Sequence, residues 1–152
     1  MSSQHIRKAT IETALEVAQN IREEDKQEVE GLGHSLAALP FSVILSDVAV
    51  AFYDTQDRIC GIAGICPTDK QGEGQVWMLC TNYVLDSPQT FVRQAKKWLR
   101  QQEKNYSLLW NLADARNTHH HKLCRLLGFK ALRVVQPPPF YLPYLEIVKL
   151  CA

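Results

Sequence analysis

The stretch NLADARNTHHHKLCRLLGF, running from Asn111 to Phe129, decides how this chain is read. Its first residues close an almost wholly apolar run, SLLWNLAD (Ser107–Asp114), as expected of a strand covered on both faces. The pattern then changes to a helix capped by Asn117 and stopped at Gly128, with a new strand, FKALRVVQ, opening on Phe129. Three histidines and a cysteine inside that helix raise two chemical readings, a metal site and a nucleophile.

Helix geometry restrains both. Successive helical residues differ by about 100°, so His119, His120 and His121 fan over roughly 200° and cannot face one metal. Only His120 and Cys124, at i and i+4, share a face. Two ligands with no evident third do not make a structural zinc site, and no C-x-x-C pair occurs. The expectation is no metal, a solvated first helical turn, and a His120→Ala exchange that leaves stability and metal content unchanged.

Upstream, SPQTFVRQAKKWLRQQEKNY reads as a helix with Ser87 as N-cap and Pro88 in the first position. Phe91, Ala95, Trp98 and Leu99 form its apolar face, with Lys and Arg opposite. Before it lie three strands: SDVAVAFYD, RICGIAGICP after a DTQD turn, and QVWMLCT after the loop TDKQGEG. Gly61 and Gly64 hint at a bulge or a close neighbour. The chain opens with a short extended piece, His5 to Lys8, and a helix capped by Thr10 with Ile11, Leu15, Ala18 and Ile21 on one face. A charged helix follows from Glu23 to Glu30, ended by Gly31 and Gly33, within REEDKQEVE, which reads as a solvated face. HSLAALP is a connector stopped by Pro40. At the other end PPP (137–139) breaks the chain before a last strand, FYLPYLEIVKL. Its prolines favour an extended conformation flanked by Phe140, Tyr141 and Tyr144: a stiff loop, or a rigid contact element for another protein.

At 152 residues the chain suits one domain, 1–152. A 46% hydrophobic composition and a net charge of +1 give no electrostatic case for a nucleic-acid or membrane partner. No stretch approaches the ~20 apolar residues of a membrane span, and the N-terminus lacks the apolar core of a signal peptide. The expected place of synthesis is the cytosol. Five cysteines, mostly inside apolar runs, read as reduced packed thiols.

The element order β-αα-βββ-αβ-αββ, with N-x-x-x-x-x-x-C-x-x-x-G-F from Asn117 to Phe129, resembles the GNAT N-acetyltransferase superfamily. The resemblance implies an α/β (α+β) fold with a mixed, mainly antiparallel central sheet and helices on both faces. VWMLCT, the basic helix and LLWNLADARNTHHHKLCRLLGF are also similar to the GNAT-like internal virion protein A family of T7-like short-tailed bacteriophages. The shared features are Trp77, Leu109-Trp110-Asn111, Asn117, a following His and the Leu-Gly pair. That resemblance implies a protein partner in virion assembly, and localisation in the host cytoplasm or the virion.

Acyl transfer on this fold implies three provisions. The family cradles a pyrophosphate on R/Q-x-x-G-x-G/A before the basic helix, where bare amides and the helix N-terminus meet the anion. The corresponding segment here, TNYVLDSPQTF, has no glycine, loses one donor to Pro88 and places Asp86 where the anion would sit. A proton acceptor on the central strands is missing from QVWMLCT, and Glu73, just before it, reads as an exposed loop residue or as a candidate acting through water. The family's acid, a Tyr four residues before the terminal Gly, is here Cys124, whose thiol is shorter by a ring and reads more simply as a small buried hydrophobe. The expectation is a GNAT-fold protein without acetyltransferase activity and without a cofactor, acting through protein–protein contacts. The alternative is an active N-acyltransferase holding acetyl-CoA through Leu79, Thr81, Ser87, Gln89 and Asn117, with Glu73 and Cys124 as catalytic candidates. A third class is a small inhibitor of a host factor.

Overall fold

The computed structural model describes residues 5–151. Seven strands form one sheet in the order β1-β2-β3-β4-β5-β7-β6. They are β1 (Ile6–Lys8), β2 (Val48–Tyr53), β3 (Ile59–Pro67), β4 (Glu73–Cys80), β5 (Leu108–Asp114), β6 (Lys130–Val135) and β7 (Tyr144–Leu150). The helices are α1 (Ile11–Asn20), α2 (Glu23–Glu30), α3 (Leu39–Leu45), α4 (Pro88–Gln102) and α5 (Thr118–Leu126). Every neighbouring pair is antiparallel except β4 with β5. The mixed, mainly antiparallel sheet is as expected.

Two cores lie on its two faces because strand residues alternate. On β2 and β3, Phe52, Ala63 and Ile65 pack under α4 and α5 with Phe91, Trp98 and Leu123. Ala51 and Ile62 point the other way, to Ala14, Val17 and Leu39 of α1 and α3. β3 is therefore buried on both faces over Ile59–Ile65. Its glycines meet close neighbours, as expected. A Cβ on Gly64 would lie 2.6 Å from the Trp77 indole, and one on Gly61 2.9 Å from the Phe91 ring. The β2–β3 register also shifts beside Phe52.

α4 buries the four apolar residues read from its period. α1 is capped by a reciprocal Thr10–Thr13 box, but its buried face differs from the expected one. Ala14 and Val17 are buried, while Ile11 and Leu15 stand in solvent. Small residues let α1 sit close to β3, and the larger ones are turned outward. Pro40 does not stop the connector. It occupies the first turn of α3, where a missing N–H costs nothing, so an α-helix follows the connector that it was expected to end. At the C-terminal end the last strand starts only at Tyr144, and Phe140 and Tyr141 are exposed ahead of it. Tyr144 is not a flanking surface aromatic. It is fully buried, and its hydroxyl donates to the Glu28 carbonyl at 2.7 Å.

Candidate functional site: the cleft between the parallel strands

β4 and β5 pair only from Glu73–Leu108 to Gln75–Trp110 and then part. Asn111 stands at the parting. Its Nδ2 donates to the Val76 carbonyl at 2.5 Å and its Oδ1 accepts from the Leu112 amide at 2.7 Å, so a side chain replaces the last rung of the ladder. Beyond it, diverging strands expose backbone groups that a buried cleft must satisfy.

α2 satisfies them. Asp25 Oδ2 accepts from the Cys80 amide of β4 at 2.7 Å, and Glu28 Oε1 accepts from the Asp114 amide of β5 at 2.6 Å. The Arg22 amide donates to the Cys80 carbonyl at 3.0 Å, and Ile21 makes an antiparallel bridge with Thr81. Arg22 Nη1 lies 3.1 Å from Asp25 Oδ1, and Asn117 Nδ2 donates to that same oxygen at 2.7 Å. Arg22, Asp25, Glu28 and Asn117 are all buried. The charged helix read as solvated thus has an inward polar face at positions 22, 25 and 28. Their i, i+3 spacing is the one sequence signal that could have revealed it.

The third companion of His120 that the spacing argument did not find comes from this helix. One donor atom each of Asp25, Glu28 and His120 lies within 4.8 Å of the others. The set fits a divalent cation poorly. Asp25 already accepts three hydrogen bonds, one from a guanidinium whose charge opposes a cation. It works as a hydrogen-bonded charge cluster. Burial pushes the Glu28 carboxyl up to about 7, only partly offset by His120 and the Asp114 amide. Burial opposes a charge on His120, but Glu28, Cys124 and Asp25 outweigh it and hold the imidazole up to about 10. His120 is therefore buried beside Glu28 and Asp25 with its pKa raised, not part of a solvated turn. The other two histidines of the run are not in this set. His121 Nε2 sits 2.6 Å from the Asp114 carbonyl, and His119 is half-buried with its pKa lowered, chiefly by burial and then by Arg22.

Below the seam is a cavity of about 260 Å³ bounded by β4, β5, α5 and the underside of α2 and α3. Leu79, Cys124 and His120 contribute to its wall. Glu73 lies at the opposite, paired end of β4, where its carboxylate accepts from Thr68 at 2.9 Å. Thr81 is fully buried and donates to the Ile59 carbonyl at 2.7 Å. Ser87 lines a separate small depression beside Asp54 and Phe91, and Gln89 is exposed. Asn117 spends its side chain on capping the His120 amide and on Asp25. The candidates thus separate: Leu79 and Cys124 share the cavity, Asn117 is bonded to Asp25 and the His120 amide, and Glu73, Thr81, Ser87 and Gln89 stand apart.

The loop before α4 is a 3-10 turn, Asn82–Asp86. Thr81 takes two of its amides, Tyr83 N by the side chain at 3.3 Å and Val84 N by the carbonyl at 3.2 Å. Asp86 is held by Arg58 at 3.2 Å, and Val84 is buried. Two amides of this turn are thus taken by Thr81, and the Asp86 carboxylate lies just before the helix start, an arrangement that fits the diphosphate of an acyl-CoA poorly.

No family model and no curated protein matches the sequence. Solved structures share its fold. An aminoglycoside N(6′)-acetyltransferase from Legionella pneumophila superposes with a TM-score of 0.73 at 9% identity, covering 96% of this chain and 91% of that one. A spermidine N-acetyltransferase chimera from Vibrio cholerae gives 0.72 at 11%, covering 96% and 94%. The ribosomal-protein-S5-alanine acetyltransferase from Vibrio fischeri gives 0.68 at 12%, covering 95% and 91%. At such identities the likeness is one of fold, and the fold of this chain is that of the GNAT acetyltransferases.

Proposed function

We propose that this chain uses the GNAT fold without acyl transfer, as a protein-interaction component in virion morphogenesis. The observation that carries the first half is the stitched cleft. Asp25 and Glu28 accept from the amides of Cys80 and Asp114, two groups that a ligand lying between diverging strands would otherwise find free. Opening them would strip buried carboxylates of their donors, a penalty of roughly 1–3 kcal/mol for each bond lost. The closed 3-10 turn at Asn82–Asp86 acts in the same direction. The virion context rests on the resemblance to internal virion protein A carried by Trp77, Leu109-Trp110-Asn111 and Asn117.

Titration calorimetry with acetyl-CoA tests this: no saturable heat is expected, and micromolar binding overturns it. Pull-down against purified virion proteins, set beside host lysate, separates an assembly role from inhibition of a host factor. The second reading, an N-acyltransferase with a non-standard cofactor loop, draws on one feature. The cavity of about 260 Å³ at the strand parting has Cys124 and His120 in its wall, room for a small acyl group.

A further inference from the structure

We infer that the outer face of α1 and α3 is a docking site for an apolar helix of a partner protein whose rim is basic. α3, LPFSVIL, carries six apolar residues in seven, a composition proper to a helix covered all round. Yet Phe41, Ile44 and Leu45 are 65%, 61% and 69% exposed. α1 packs beside it and adds Ile11 and Leu15, 45% and 50% exposed, one helical turn apart. Five large apolar side chains thus stand exposed on two helices that pack side by side. The neighbouring stripe of α1 is Glu12 and Glu16, both exposed, and neither helix contains a lysine or an arginine. An apolar centre with an acidic edge is the anatomy of one half of an interface whose other half brings cations.

Charge selects among occupants. A second copy meeting this face through its own α1 and α3 would set Glu12 and Glu16 against the same residues. A second copy offering its basic α4 would bring Arg93, Lys96, Lys97 and Arg100 but no large exposed apolar residue from that stripe. An anionic lipid surface is repelled by the acidic edge. An amphipathic helix with leucine-like anchors and flanking lysines or arginines satisfies both parts of the patch. This inference gives the interaction reading above its surface and rests on that reading. Its test uses a ligand unrelated to coenzyme A, so the two can fail separately.

The probe is a fluorescent Leu/Lys amphipathic peptide of about 18 residues, long enough to hold a helix, with a Leu/Glu peptide of the same pattern as control. Anisotropy should show saturable binding of the Leu/Lys peptide, at least ~10-fold weaker binding of the Leu/Glu peptide, and a comparable loss in Ile44→Asp and in Glu12→Lys with Glu16→Lys. The charge-reversed variant alters only exposed residues, and its unfolding midpoint should match the parent. Absence of saturable binding, equal affinity for both peptides, or indifference to both variants overturns the inference. So does self-association in sedimentation that Ile44→Asp abolishes, which assigns the face to a second copy, or binding to phosphatidylglycerol vesicles, which assigns it to lipid.

Discussion

Asn117 and Asp25 are 92 positions apart and joined by a 2.7 Å hydrogen bond in the protein interior. Through it the N-cap of α5 is tied to the helix that fills the gap between β4 and β5. Asn117 thus does two jobs, capping the His120 amide with its oxygen and holding Asp25 with its nitrogen.

Because Asp25 compensates a buried guanidinium, an amide N–H and a carboxamide, Asp25→Ala takes this acceptor from the Cys80 amide and the Asn117 carboxamide and leaves the Arg22 guanidinium with Glu24, 3.2 Å away. The expected loss is about 3–5 kcal/mol in urea unfolding. Asn117→Ala should cost about 1–3 kcal/mol through the lost cap and the lost bond. The double variant should show a coupling of roughly 0.5–3 kcal/mol, since the two share a contact. A loss below about 1 kcal/mol in Asp25→Ala would falsify the view that this seam holds the sheet together.

The Glu28–His120 pair makes stability depend on pH. Both groups titrate higher in the folded state, at about 7 and about 10, than the ordinary 4.5 and 6.5. A group of this kind binds its proton more tightly when folded, so its contribution is complete below the unfolded value and disappears as pH rises through the folded one. The midpoint temperature should therefore fall between pH 7 and about 10, through His120. His120→Ala should be less stable at neutral pH and lose that slope. At the acid end the sign reverses. Arg58 and Arg116, with backbone amides, outweigh burial and hold Asp54 and Asp114 below the usual 3.8, so their contribution is present above that value and lost as pH falls below it. A flat profile from pH 7 to about 10 in the parent protein would remove the pair from the account.

Gly64 lies against the Trp77 indole with no room for a methyl group. Gly64→Ala should destabilise by about 1–3 kcal/mol, the usual consequence of overpacking. Trp77→Leu in the same chain should recover part of that loss, and a thermal-unfolding cycle over the four proteins reads the recovery directly. Equal losses with and without the tryptophan would mean that the clash is elsewhere.

The five cysteines are free thiols with unequal access. Burial raises Cys60 to about 12 and lifts Cys80 well above the ordinary thiol value. At pH 8 the Cys60 thiolate fraction is then on the order of 10⁻⁴. Labelling of the native protein with a disulfide reagent should reach the half-buried Cys66 and Cys151 first, with Cys60 and Cys80 silent until denaturant is added. Rapid native labelling of Cys80, located by mass spectrometry, would show that α2 opens readily from the cleft.

Much of the architecture was legible in short stretches. The i, i+4, i+7, i+8 spacing of Phe91, Ala95, Trp98 and Leu99 placed α4, the Thr10 cap placed α1, and Asn117 with Gly128 bounded α5, because capping and periodicity act over a few residues. The Pro40 signal admits two local readings, a stop or a first helical turn, and packing against α1 and β3 selects the second. For α2 the local text misled: EEDKQEVE has the composition of a solvated helix, yet Asp25 and Glu28 are buried. What turns them inward is the pair of amides exposed where β4 and β5 part, on strands 55 and 86 residues away in the chain. Hydrogen-bond demand at a divergence of two strands has no local signature, so the strands and helices could be read from the text while the closing of the cleft emerged only when distant segments met.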